Sequence, residues 1–388
     1  MTRPSAAEQV QPDDAPQAAR HRSRVLCVVP SLSGIAGEHP NGQATAARGL
    51  LGFLVSRGHE VELLNTSSAL YPPMPMHRKI WAAMQRTWGA HRVLRGGDVS
   101  AAVLFTGSGL SLLERVAICA LCRRAGVRHV LFFRNSDVLE QIARNGASRL
   151  VLKYLLRVPR LIAVQGERWV APIGDLGVAR SRTVVVPNWL PPEVPAESSP
   201  KSVAEGEVVH FVFVGRLVPN KGVDTLLDAS LNELAGLPHR VTVVGGGPLE
   251  RHLRERLASV SGAVIDVKGA CERADVYEAL RRAHVFVLPT FHNEGFPNAL
   301  LEAMALGLPA ISTNVGSITD SLCDGVNGFV VQPRDPVGLA AAMAEYIRSP
   351  SLVTTHSARA LDTVETRHRQ DATLSHLWDA LMASGARS

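Results

Sequence analysis

The chain has 388 residues, 46% of them hydrophobic and 20% charged, with a formal net charge of +6. That length exceeds one typical core, so two domains are expected, and the composition is that of a folded soluble protein. No charge-free apolar stretch reaches the ~20 residues of a membrane-spanning helix, because the longest, Val99 to Leu113, is broken by Ser and Gly.

Met1 to Arg24 is rich in Pro, Ala, Gln and charge and lacks the apolar middle of a signal peptide, so residues 1–23 are expected to be a disordered tail. Arg24 to Val29 reads as a first strand, followed by a glycine-bearing polar loop from Pro30 to Gly42 and a helix from Gln43 to Arg57. Strands are expected at Glu60–Leu64, Val99–Thr106, Val127–Phe133, Leu161–Gln165 and Thr183–Val186, with helices between most of them. Residues 24–190 thus form a first domain, and the Pro-rich break at 191–206 reads as a linker. The alternation restarts in a second domain, 207–365, with strands at Val208–Val214, Arg240–Val244, Ala263–Val267, His284–Leu288, Pro309–Ser312 and Gly328–Gln332. Short apolar strands alternating with helices imply parallel sheets covered on both faces. The fold class is α/β, with two Rossmann-like doubly wound domains facing each other across a cleft.

Five cysteines, an odd number in mostly apolar contexts, fit a reduced cytosol. Cys119 and Cys122 form a C-x-x-C within a helical stretch without a second pair, which reads as core packing. The basic balance, with a pI near 9.3, asks for an anionic partner. Residues 77–95 mix basic side chains with Trp81 and Trp88 on one helical face, which fits an anionic membrane surface; the alternative is that Trp81, Trp88, Ile80 and Met84 face the core. Arg149, Lys153 and Arg157 form a second basic stripe. Nucleic acid is not an expected partner, because neither segment carries a recognised binding motif.

Three elements of the second half point to a phosphorylated, hydroxyl-rich ligand. Gly215 to Gly222 leaves a strand and carries Arg216 and Lys221 before a helix, where glycine admits a close ligand and the cations neutralise a diphosphate. Val243-Val-Gly-Gly-Gly-Pro248 repeats the strand-to-glycine turn and includes Gly246. Glu294-Gly-Phe-Pro-Asn-Ala-Leu-Leu-Glu302 places two carboxylates at the entrance of a helix beyond a strand's carboxyl end, where open α/β sheets bind ligands.

These motifs, with Gly307-Leu-Pro-Ala and Asn327-Gly-Phe-Val-Val, resemble the retaining glycosyltransferases of family four, which have the GT-B fold. The resemblance is specific over Val208 to Pro333 and rests, in the first half, on the Gly34 to Gly42 loop and Val184-Val-Val-Pro-Asn188. It implies a hexosyltransferase-type enzyme with a UDP- or GDP-linked sugar as co-substrate and no metal or other cofactor. The acceptor would be a glycan or a lipid-linked molecule, in cell-surface polysaccharide or glycolipid synthesis, at the cytoplasmic face of a membrane. By this resemblance Arg216 and Lys221 hold the diphosphate, Glu302 the ribose hydroxyls and Glu294 the transferred sugar. Gly295, Phe296 and Pro297 present backbone amides to the donor, and Asn298, Gly215 and Gly246 are further donor-binding residues. The first domain would serve the acceptor, with Gly42 on its loop, and a helix within 366–388 would cross back onto it. An epimerase or hydrolase on the same fold, or a sugar-nucleotide-binding protein without catalysis, is the alternative. One departure stands out: the family places a histidine after a first-domain strand, where this chain has Arg134-Asn-Ser-Asp137. Arg134, Asn135 or Asp137 takes over the sugar contact, or the donor sugar is an unusual one, or the resemblance does not extend to this half, or the segment is an ordinary helix cap at Ser136 or Asp137.

Overall fold

The computed structural model describes residues 23–30, 42–66, 75–143, 146–195, 199–258, 260, 264–292 and 295–384. The expected tail, most of the Pro30–Gly42 loop, Arg144 and Glu294 lie outside them.

The first domain runs β1 (Arg24–Pro30), α1 (Gly42–Ser56), β2 (Glu60–Thr66), α2 (Met76–Arg95), β3 (Val99–Thr106) and α3 (Leu110–Arg124). It continues with β4 (Arg128–Phe133), α4 (Asp137–Ala143), α5 (Ala147–Leu155), β5 (Leu161–Val164), α6 (Val170–Gly174) and β6 (Thr183–Val185). Its six strands are parallel in the order β2-β1-β3-β4-β5-β6.

The apolar strand sequences follow from burial on both faces. In β1, Leu26 and Val28 point into a core shared with α2, α3, α5 and Trp169, while Val25, Cys27 and Val29 meet α1. Period-two alternation therefore feeds two separate cores rather than one core and solvent. Cys119 and Cys122 are fully buried in the first of these cores, and burial pushes the Cys122 thiol up to about 12, so both pack as small apolar groups.

The second domain runs β7 (Val209–Val214), α7 (Val223–Asp228), β8 (His239–Val244), α8 (Glu250–Ala258), β9 (Ile265–Gly269) and α9 (Arg273–Arg282). Then come β10 (Val285–Leu288), α10 (Asn298–Ala305), β11 (Ala310–Thr313), β12 (Gly328–Val331), α11 (Pro336–Arg348) and α12 (Ser351–Arg367). This sheet is also parallel, in the order β12-β11-β10-β7-β8-β9. A final helix, α13 (Gln370–Ala383), lies on the first domain, where Leu374, Leu377 and Leu381 complete the core under α1.

The α2 surface departs from the core-facing alternative. Ala83, Ala90 and Leu94 are its buried side chains, while Trp81 and Trp88 are each 63% exposed and Met84 is 64% exposed. The small residues allow the helix to sit close to its neighbours, and the bulky ones stand in solvent.

Candidate active site

The carboxyl ends of the two sheets face each other. From the first domain, Gln165 follows β5 and Asn188 follows β6; from the second, the segment ahead of α10 meets them. Asn188 Nδ2 donates to the Phe296 carbonyl at 2.7 Å and to Asn298 Oδ1 at 2.9 Å, and Asn188 Oδ1 accepts from Gln165 Nε2 at 2.7 Å. A Cβ on Gly295 would lie 2.0 Å from Gln165 Oε1, and one on Gly42, at the start of α1, would lie 2.3 Å from Asn298 Nδ2. The N-termini of α1 and α10 thus converge, and both present first-turn amides without intrahelical partners. Below this junction the Glu167 amide donates to Asp320 at 3.0 Å and Arg168 Nη1 donates to the Asn314 carbonyl at 2.6 Å, fixing the two domains along one seam.

The glycine turns of the second domain interlock. Gly215 N donates to the Val244 carbonyl at 3.0 Å, Leu217 N to Gly246 at 3.0 Å and Leu249 N to Leu217 at 3.1 Å. Gly245 has φ 141°, and a Cβ there would meet the Gly215 carbonyl oxygen at 1.8 Å. Gly246, singled out from the sequence, would place a Cβ 3.0 Å from the Ala270 Cβ, so the stricter requirement for glycine falls on its neighbour. Gly222, with φ 76°, packs against the Pro289 carbonyl, and the Phe291 amide and Thr290 hydroxyl donate to Asn220 at 3.0 Å. The loop bearing Arg216 and Lys221 is thereby stitched to the segment that leads toward α10. Arg216 is exposed and Lys221 half-buried.

Glu302 sits in α10 with 15% of its side chain exposed, and Arg273 Nη2 reaches its Oε1 at 3.5 Å. Burial raises its pKa, Arg273 opposes that and Glu193 adds to it. Arg273 is itself oriented by Tyr277, whose hydroxyl accepts from Nε at 2.6 Å. One long contact leaves the carboxylate with lone pairs to spare for vicinal hydroxyls.

Phe296 and Pro297 need a correction. Proline has no amide hydrogen, so Pro297 gives φ −66° to the entry of α10 and no donor. The Phe296 ring, 5% exposed, points inward and stacks on His368 at 5.1 Å. The amides available at this entrance are those of Gly295, Phe296 and the first turn of α10. In the first domain Asn135 Nδ2 donates to Asp137 Oδ2 at 2.8 Å, Asp137 opens α4, and Arg134 is buried against aromatic rings.

Sequence reasoning missed His368, between α12 and α13. Its Nδ1 donates to the Asn188 carbonyl at 2.6 Å and its Nε2 accepts from the Ser321 hydroxyl at 2.8 Å, so one fully buried ring ties both domains to the α10 entrance. The signal was weak, a histidine in a polar helix junction. Asn188 and Arg273 were equally silent as site residues. Burial lowers the His368 pKa from 6.5 to about 4. The unfolded chain therefore takes up a proton below pH 6.5 that the folded chain refuses until about 4. Stability is complete above the first value and falls through that window by about 3 kcal/mol from this group. His59, His129, His210, His284 and His356 are shifted the same way, so the comparison with His368→Gln isolates one share. In urea titrations at pH 7.5 and 4.5 the variant should lose less stability than the parent, and equal losses would contradict the argument.

Two six-stranded parallel sheets meeting at their carboxyl ends, glycine turns beside a helix N-terminus and a crossing final helix define a GT-B architecture. Residues 209–349 match the family model described as glycosyl transferases, group 1. A putative colanic acid biosynthesis glycosyltransferase, WcaL, of Salmonella typhimurium is 33% identical over 194 residues, covering 46% of this chain and 47% of that protein. The chain spans about half the length of the curated relatives it matches. The sucrose-phosphate synthase of Thermosynechococcus elongatus superposes with a TM-score of 0.73 at 18% identity, covering 94% of this chain and 100% of the other. Anabaena HepE, solved with UDP and glucose, gives 0.66 at 17% identity, covering 93% and 100%. The fold is GT-B throughout, and the matched stretch of the second domain is that of a group 1 glycosyltransferase.

Proposed function

We propose that the chain is a retaining glycosyltransferase that moves a sugar from a UDP- or GDP-linked donor to a glycan or lipid-linked acceptor in polysaccharide or glycolipid synthesis. The observation that carries this is the convergence of the interlocked glycine turns, the α10 N-terminus and the half-buried Glu302 at one edge of the second sheet, opposite the first. Breaking the bond from the anomeric carbon to the diphosphate leaves negative charge on the departing phosphate. Arg216, Lys221 and the amides of the α10 entrance supply positive charge for it, so the reaction needs no metal. Glu302 takes the ribose, and Glu294 takes the transferred sugar. The WcaL relative and the UDP and glucose bound by HepE agree with this substrate class.

The test is thermal melting with UDP, GDP, ADP and CMP, each with and without magnesium, followed by product analysis with the stabilising donor. At about 100 times its dissociation constant a ligand adds about 2.7 kcal/mol, enough to move a midpoint by several degrees. One base should stabilise without magnesium and yield a new glycosidic bond. A shift with none of them, or water-derived or epimerised sugar as sole product, would sink the assignment.

The acceptor side extends to an anionic membrane. Among the described residues no helix is long and apolar enough to cross a bilayer. On α2 the exposed Trp81, Met84 and Trp88 stand among Arg78, Lys79, Arg92 and Arg95, and the helix contains no acidic residue. Aromatic rings at headgroup depth with flanking cations suit peripheral binding on the cytoplasmic face. Sedimentation with anionic liposomes at low salt should pull the protein down, and the Trp81→Ala, Trp88→Ala double change or added salt should release it. Protein left in the supernatant at low salt would refute this.

A further inference from the structure

Among the described residues two arginines are buried, and they are treated differently. Arg115, 3% exposed, holds the carboxylate of Glu114 at 2.6 Å. Arg134, 7% exposed at the carboxyl end of β4, has no carboxylate partner among the described residues, and its Nε and Nη1 are buried without acceptors there. Three rings surround it instead, with the guanidinium carbon 5.0 Å from the centroids of Phe132 and Trp189 and 5.4 Å from that of Phe105. Its pKa is lowered to about 9 by burial, which leaves it charged at neutral pH. Aromatic faces hold a cation in place without neutralising it. A buried charge in that condition is unfavourable unless an opposite charge arrives from outside the chain.

The place is informative. Trp189 adjoins Asn188, which holds both the Phe296 carbonyl and Asn298 at the entrance of α10. The next residue after Arg134, Asn135, packs on Gly107 and also has a buried Oδ1 with no donor. Arg134 therefore stands at the rim where the first sheet meets the donor edge of the second.

We propose that Arg134 receives a compact anion, a carboxylate or a phosphate, carried by the substrate in the cleft apart from the donor's own diphosphate. The planar guanidinium suits either group. The inference rests on the glycosyltransferase proposal and narrows it. Either the transferred sugar is a uronate, or the acceptor bears the negative charge.

Calorimetric titration and thermal melting of the full chain and of Arg134→Met decide it. The probes are nucleotide-linked glucuronate against nucleotide-linked glucose on the same base, then free glucuronate and inorganic phosphate, each with nucleoside diphosphate present. At least one anionic probe should bind the parent about ten- to a hundredfold more tightly than the variant. Preference for linked glucuronate assigns the charge to the donor, and a response to a free anion assigns it to the acceptor. Without ligand, the variant should melt at or above the parent, since it sheds an unpaired charge. The proposal is overturned if no anionic probe separates the two proteins, or if the unliganded variant melts several degrees lower, the mark of a purely structural cation. Failure of the nucleoside diphosphate itself to bind would reject the glycosyltransferase proposal, while the free anions would still decide the role of Arg134.

Discussion

Alanine at position 245 should disrupt the proposed donor site and destabilise the second domain. The Cβ would meet the Gly215 carbonyl oxygen at 1.8 Å, on a backbone whose φ of 141° side chains rarely adopt. Neither partner can retreat cheaply. Gly245 N donates to the Gly269 carbonyl at 2.8 Å, and Gly215 N donates to Val244 at 3.0 Å, so the ends of β7, β8 and β9 are fixed to one another. Strain and forced displacement together should cost about 3 kcal/mol or more, lowering the melting point of that domain by about 6–12 °C and removing the shift with nucleotide. Gly246→Ala is the control, because its nearest obstacle is the Ala270 side chain at 3.0 Å rather than backbone. Melting curves with and without nucleotide, following both transitions, would count against the argument if Gly245→Ala behaved like Gly246→Ala.

Glu302→Ala should reduce nucleotide affinity by about 10²–10³, the effect of losing two hydrogen bonds to a charged acceptor. The sharper signature is chemical. The parent should discriminate between a ribose and a 2′-deoxyribose diphosphate, and the variant should bind both alike, since the coupling between the carboxylate and the hydroxyl is then gone. Fold stability should change by only about 1 kcal/mol, because the ion pair with Arg273 is long at 3.5 Å and Tyr277 still accepts from the Arg273 guanidinium. Undiminished discrimination in the variant would remove Glu302 from the ribose site.

The elements and motifs legible in the sequence were those whose cause is local. Apolar runs such as Val25–Val29 and Phe211–Val214 can be little other than strands buried on both faces, and their alternation with helices dictates parallel sheets. Glycine turns after strands, as at Gly215 and Gly245–Gly247, and proline at the entry to α10 announce themselves by backbone chemistry. Residues whose role depends on a distant partner carried no such mark. His368 lies 180 residues from Asn188, and its meaning comes from the return of α13 to the first domain. Arg273 became part of the site only because its side chain, at the start of α9, reaches Glu302 of α10, and Arg134 proved unpaired only once its surroundings were known to be rings. The outward turn of Trp81 and Trp88 was likewise undetermined, since a seven-residue spacing fixes a shared face but not its direction. Sequence by itself determined the strands and the glycine turns that follow them, because these follow from periodicity and dihedral freedom. Tertiary structure alone decided which side chains meet between the two domains and which charge is left without a partner, because burial and pairing are properties of the assembled chain.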